Sequence, residues 1–205
     1  MSQITHGVRA IFSNPRVYDG FQDLMGASRV RRELVHEFMR PVPGTRVLDI
    51  GCGTAEVLGF LPSDVAYWGY DISQPYIDAA VRRFGARGRF HCGFFDMAQL
   101  DRLPKFDVVI TTGVLHHLDD TEATNLFALA KLALKPTGRV ITIDPCLADG
   151  QNPEARFLIG RDQGPDVRTS DGYRSLPRTV FATVTGQLRH RSWIPYTHWI
   201  MECGS

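Results

Sequence analysis

The chain has 205 residues, 43% hydrophobic and 22% charged, which is one ordinary globular domain and excludes a disordered chain, a collagen and a disulfide mini-scaffold. A chain of this length buries roughly 70% of the surface its unfolded form exposes, so it folds without a metal or disulfide staple. Lysine plus arginine number 23 against 22 aspartates and glutamates, a formal net charge of +1, so no long-range field draws a nucleic-acid backbone and a dedicated nucleic-acid binder is not expected.

The amino terminus, Met1 to His6, lacks the basic-then-apolar order of a signal peptide. The first forty residues read as helical, and residues 1–44 are expected to form an N-terminal helical lid. Tyr18 and Phe21 either fold over a ligand or anchor the first helix. From Gly26 to Arg40, Val30, Leu34 and Phe38 recur every four residues beside Val35 and Met39, one buried helical stripe. Pro41-Val42-Pro43-Gly44 stops it.

An alternation of strands and helices follows. Arg46 to Ile50 is a short apolar strand, followed by a glycine turn and a helix around Glu56 to Leu61. Val65 to Ile72 reads as the second strand, Gln74 to Phe84 as a helix with Tyr76, Ala80 and Phe84 on one side, and Arg89 to Phe95 as the third strand. Asp107 to Thr111 is the fourth, with the unbroken Val108-Val109-Ile110 run of a strand buried on both faces. Asp119, Asp120 and Thr121 offer caps for a helix to Leu134, and Lys135 to Gly138 ends it. Arg139 to Ile143 is the fifth strand. This order predicts an α/β fold, a doubly wound, mostly parallel Rossmann-like sheet.

Residues 146–170 are rich in glycine and proline and read as a variable loop over an acceptor site. Ser170 to Val184 reads as a helix. Leu188 to Ile194 and Tyr196 to Met201 then form an antiparallel pair closing the sheet. Every cation after Lys135 is an arginine, read as a solvated surface or, alternatively, an anion clamp. Cys52, Cys92, Cys146 and Cys203 form no CxxC pair, so neither a metal site nor a disulfide framework is expected, and a reducing, cytoplasmic compartment fits. No apolar run reaches the length of a membrane span.

The chemistry concentrates at the ends of the strands. In Asp49-Ile50-Gly51-Cys52-Gly53-Thr54-Ala55-Glu56, Gly51 and Gly53 let the backbone turn sharply and approach a ligand. This is not the dinucleotide fingerprint, because Glu56 takes the last glycine's place and Asp49 would repel a phosphate. A carboxylate there suits a ligand carrying an ammonium. Asp71, followed by Ile72, ends the second strand and can accept from both hydroxyls of a ribose. Asp96 follows the third strand, where it can accept from an adenine amino group while Met97 packs on the ring.

With Phe106 to Ile110 and Leu134 to Arg139, these motifs run from about Arg46 to Pro145 and together resemble the class I S-adenosylmethionine-dependent methyltransferases. The resemblance implies S-adenosylmethionine as cofactor. It assigns Asp49, Gly51 and Gly53 to the methionine part, Asp71 and Ile72 to the ribose, Asp96 and Met97 to the adenine, and the backbone near Thr112 to the methionine end. It also implies seven strands with a C-terminal antiparallel hairpin. Many relatives carry a glycine where this chain has Ala55; one methyl group is expected to leave binding intact.

His116 and His117 leave the fourth strand at the ligand face and are candidate bases for a hydroxyl acceptor, since imidazole titrates near neutral pH. The alternative is that one packs and the other bonds the backbone. Asp144, Arg161, Tyr196 and His198 are candidates to line the acceptor pocket, and Arg161 or Arg168 would suit a carboxylate or phosphate. The activity expected is methyl transfer to a small molecule, at oxygen. The alternatives are a module that only binds the cofactor and an enzyme that uses it without methylating.

Overall fold

A computed structural model describes residues 27–160, 164–191 and 196–204. Tyr18, Phe21 and Arg161 lie outside the described residues, as does most of the expected lid. Seven strands are formed by β1 (Arg46–Ile50), β2 (Ala66–Asp71), β3 (Gly88–Cys92), β4 (Phe106–Thr112), β5 (Leu134–Pro145), β6 (Thr183–Arg191) and β7 (Tyr196–Gly204). They make one sheet in the order β3-β2-β1-β4-β5-β7-β6. β1 to β5 run parallel, and β7 lies antiparallel between β5 and β6.

Alternation along the central strands divides the core between two faces. Val47, Val108, Ile110, Ile141 and Ile200 face α1 (Ala27–Glu33, continued through Met39), where Leu34, Phe38 and Met39 are buried. Leu48, Val109, Val140 and Met201 face the other way, onto Phe127 of α4 (Asp120–Ala133) and Tyr173 of α6 (Ser170–Ser175). The remaining helices are α2 (Gln74–Phe84), α3 (Met97–Leu100) and α5 (Pro153–Ile159). A capping box joins Asp119 and Glu122 at the start of α4, as the run of caps there predicts.

The departures from the predicted elements have local causes. The single helical stripe before Arg40 widens into a π turn over Leu34–Met39 and ends at Arg40 in the left-handed region. The helix expected after the glycine turn is a five-residue 3₁₀ helix, Glu56–Phe60, because Ala55 ahead of it is left-handed, with φ 58°. On α2 the buried face is Ile77, Ala80 and Phe84, without Tyr76. β3 stops at Cys92 rather than Phe95, where Gly93 takes φ 146°. Asp96 therefore caps the start of α3 instead of ending a strand. The 146–170 loop contains α5, capped by Asn152. α6 ends at Ser175, far short of Val184: two residues on, the Pro177 ring has no N–H to give and crowds the carbonyl of the fourth residue before it, Tyr173. The hairpin is longer than expected and starts at Thr183.

Of the arginines after Lys135, Arg156 and Arg178 are exposed, as a solvated face predicts, whereas Arg139, Arg189 and Arg191 are struts. Arg189 pairs with Glu33 and Glu37 of α1, and Arg191, 6% exposed, pairs with Glu33. Arg40 reaches both carboxylate oxygens of Glu202 on β7, at 2.7 and 2.9 Å. Arg139 donates to the Phe38 and Met39 carbonyls at the end of α1. Together these contacts fasten α1 across the β5-β7-β6 edge.

Candidate active site

The parallel register brings the ends of β1, β2, β4 and β5 to one rim. The glycine turn hangs from β2: the N–H groups of Gly51 and Cys52 both donate to the Tyr70 carbonyl, at 2.8 and 3.0 Å. Its two glycines are needed for different reasons. At Gly51, φ is 79° and a Cβ would lie 2.4 Å from a Val114 methyl, so neighbouring chain excludes a side chain. At Gly53, φ is 55° and a Cβ would meet nothing within 4 Å, so the backbone there borders open space.

Asp49 lies beneath this turn and is only 2% exposed. Its Oδ2 accepts from the Tyr67 hydroxyl at 2.6 Å. Its Oδ1 is buried with no hydrogen-bond partner among the described residues. Burial pushes the carboxyl up to about 7; the Tyr67 hydrogen bond opposes this and the Asp71 charge adds to it. A buried oxygen with no donor is unfavourable unless a water or ligand supplies one. An ammonium-bearing ligand against Gly53 fits that need. Tyr67 is a site residue that sequence reading missed, because nothing local marks which strand tyrosine reaches a carboxylate 18 positions away.

Asp71 holds the turn closed. Its Oδ2 accepts from the Gly53 N–H at 2.9 Å and its Oδ1 from the Ser73 N–H at 2.8 Å. Burial raises this carboxyl, and those two backbone donors draw it partly back. Each carboxylate oxygen retains acceptor capacity for a ribose hydroxyl. Ile72, just after β2, and Met97, just after Asp96, stand 53% and 58% exposed. The Asp96 carboxylate accepts the Ala98 N–H at 2.9 Å. Thr112 ends β4, and the Gly113 N–H after it donates to the Ile143 carbonyl at 2.8 Å, joining β4 to β5 at the rim. The orphaned Asp49 oxygen, the open face of Gly53 and the exposed apolar pair fit a cationic nucleoside ligand.

His116 sits on a three-residue 3₁₀ helix, Leu115–His117, immediately after β4. Its Nδ1 faces Asp144 Oδ1 at 3.0 Å, and its backbone N–H reaches the same oxygen at 3.3 Å. Asp144 is 1% exposed and its carboxyl is raised by burial, against the pull of His116. Asp144 therefore faces the histidine from within the core rather than open space. His117 is exposed, and its ring lies 4.0 Å from that of His116.

Tyr196 and His198 stand elsewhere. Pro145 pairs with His198 and Asp144 with Trp199, so the His198 face of the sheet is opposite the Asp144 face. Tyr196, two residues from His198, shares that opposite face, and the two rings are 4.9 Å apart. The Arg168 guanidinium donates to the Leu115, Asp166 and Leu118 carbonyls and to Asp120, so it is a brace and not an anion clamp. Burial pushes the Cys52 thiol up and those of Cys146 and Cys203 to about 12, which leaves these three without thiolate character near neutral pH.

Residues 48–140 match a family model described as a methyltransferase domain. That match lies on a sheet of order β3-β2-β1-β4-β5-β7-β6 with β7 reversed. The match and the sheet order agree with the resemblance to the class I S-adenosylmethionine-dependent methyltransferases. The chain is similar to an O-methyltransferase of Pyrenophora dematioidea, 28% identical over 171 residues, 74% of this chain and 62% of that protein. It is also similar to a phosphoethanolamine N-methyltransferase of Triticum aestivum, 26% identical over 180 residues, 84% of this chain and 34% of that protein. The chain thus spans less than two thirds of the length of both curated relatives. Among solved structures, the methyltransferase fold is shared with magnesium protoporphyrin IX methyltransferase of Synechocystis PCC 6803. The TM-score is 0.62 at 18% identity, covering 100% of this chain and 90% of that one. No helix among the described residues is long and apolar enough to cross a membrane.

Proposed function

We propose that this chain is a methyltransferase that moves a methyl group from S-adenosylmethionine to a hydroxyl oxygen of a small-molecule acceptor, with His116 as general base and Asp144 orienting it. The observation that carries the reading is the buried Nδ1···Oδ1 contact of 3.0 Å. A carboxylate at Nδ1 fixes the tautomer with the proton on that nitrogen, so Nε2 is the atom able to take a proton from the acceptor. As the imidazole becomes a cation, the buried Asp144 charge stabilises it. His117, whose ring is tilted against that of His116, is the second candidate for this role.

Asp49 and the Gly51–Gly53 turn would hold the methionine part of the cofactor, Asp71 and Ile72 the ribose, Asp96 and Met97 the adenine, and the backbone at Thr112 would face the methionine end. Bound there, the cofactor supplies an electrophilic sulfonium methyl, so the chain itself needs no nucleophile, only alignment and a proton acceptor. The bound product S-adenosylhomocysteine named for the Synechocystis relative is consistent with this use of the rim. The Pyrenophora relative's name favours oxygen as the acceptor atom and the wheat relative's favours nitrogen. The oriented histidine tips the reading towards oxygen, because a hydroxyl must lose a proton as it is methylated whereas a neutral amine attacks without a base.

Titration calorimetry with S-adenosylmethionine and S-adenosylhomocysteine tests the binding half. Asp71→Ala should weaken both by about tenfold or more, the loss of charge-assisted hydrogen bonds. For the chemistry, a small-molecule extract is incubated with isotopically labelled methyl donor and the products are read by mass spectrometry. His116→Gln and Asp144→Asn should each slow labelling by about 10²–10⁴-fold while leaving cofactor affinity intact. Absence of cofactor binding by folded wild-type protein overturns the reading.

A further inference from the structure

Only three residues of 3₁₀ helix carry the His116 imidazole, and a turn that short has few hydrogen bonds of its own to hold a ring in place. The segment Gly164–Thr169 lies along it. The Asp166 N–H donates to the His116 carbonyl at 3.1 Å. The Arg168 fork donates Nη1 to the Leu115 carbonyl at 2.9 Å, Nη2 to the Leu118 carbonyl at 2.7 Å, and Nε to Asp120 Oδ1 at 2.9 Å. Its side chain is 11% exposed, so the two carbonyl bonds form with little competition from water, whereas Asp120 stands in it, 82% exposed.

The same segment grips the end of β5. The Leu147 N–H donates to the Arg168 carbonyl at 3.1 Å, and Thr169 caps α6, from which the Tyr173 hydroxyl donates to the Pro145 carbonyl at 2.9 Å. One stretch of chain therefore clips together the two elements that carry His116 and Asp144.

Two glycines border the imidazole. A Cβ at Gly164 would fall 2.1 Å from His116 Cδ2 and 2.3 Å from its carbonyl oxygen; one at Gly113 would fall 3.5 Å from Cε1. Cδ2 and Cε1 are the two carbons bonded to Nε2. The backbone of Gly164 thus lies against the ring beside that nitrogen, where no other residue fits.

We propose that Gly164 and Arg168 are positioning residues for the His116–Asp144 pair: Arg168 holds the turn where Nδ1 meets the carboxylate, and Gly164 sets the ring edge that carries Nε2. The proposal rests on the reading of His116 as the base, and its test reads the ring directly, without turnover. The full chain is labelled with ¹⁵N-histidine, and the His116 ring nitrogens are followed by NMR in the wild type, Arg168→Gln, Arg168→Lys, Gly164→Ala, Asp144→Asn and Arg174→Gln. Arg174, which stacks on Trp199 at 5.2 Å, is the control.

The wild type should show one tautomer, protonated at Nδ1. Arg168→Gln and Gly164→Ala should lose that pattern to averaged shifts, and Arg174→Gln should keep it. Arg168→Lys keeps the charge but cannot reach two carbonyls and Asp120 at once, so it should also lose the pattern; it decides the matter where Arg168→Gln does not fold. Folded Arg168 and Gly164 variants with wild-type ring shifts overturn the positioning role. A wild type without the Nδ1-protonated form, or an unchanged pattern in Asp144→Asn, overturns the base reading instead.

Discussion

Asp49 is a carboxyl kept poised by its surroundings. Burial lifts it to about 7, far above the value of about 3.9 it has in an unfolded chain. Folding therefore favours its protonated form, and the cofactor-free protein loses stability as pH rises from about 4 to about 7 and the buried group ionises. Asp49→Asn should flatten that dependence and stabilise the cofactor-free protein at pH ~8 by about 1–3 kcal/mol, read by urea denaturation at several pH values. The same substitution should weaken S-adenosylmethionine binding. In the wild type, affinity should fall as pH drops through about 7 and the carboxylate is lost, which calorimetry across that range would record. Ala55 offers a second test at this scale. It is held at φ 58°, a strain a glycine would not feel, so Ala55→Gly should be neutral or stabilise by up to about 1 kcal/mol with cofactor affinity unchanged.

The attachment of α1 to β6 depends on charge pairs as well as apolar packing. Glu33 receives both Arg189 and Arg191, and its side chain is only 16% exposed. Removing Arg191 leaves an acidic group mostly out of water with half its compensation gone. Arg191→Ala should cost about 2–4 kcal/mol in denaturant unfolding, and Arg191→Ala in a Glu33→Gln background markedly less, the signature of coupling in a double-mutant cycle. Conversely, the more exposed Arg40–Glu202 pair should contribute at most about 1 kcal/mol, because water screens it.

For the molecule as a whole, the site and the stability of the fold are linked. The glycine turn is tied to β2 through Asp71 and packs at Gly51 against Val114, just beyond β4, so a ligand seated there adds contacts to a turn shared by neighbouring strand ends. S-Adenosylhomocysteine at about 100 times its Kd should raise unfolding stability by about 2.7 kcal/mol in the wild type. At the same concentration Asp71→Ala should gain at least about 1 kcal/mol less, as measured by thermal shift and denaturant titration.

The sheet, its strand sequence and the rim that carries the glycine turn were legible along the chain because their causes are local. Val108-Val109-Ile110 marks a doubly covered strand, Asp119, Asp120 and Thr121 mark a helix start, and Gly51-Cys52-Gly53 marks a tight turn, each within a few residues. Element lengths were less legible: Pro177 and Gly93 end an element through backbone effects that a wider periodicity hides. Tertiary structure alone decided which groups meet. Asp49 finds Tyr67 and keeps one oxygen without a partner among the described residues, His116 finds Asp144 across 28 positions, and Glu33 finds Arg191 across 158. Such pairings leave no periodic trace, because the sheet order rather than the chain order makes these residues neighbours. The low dielectric of the interior then gives each contact its strength.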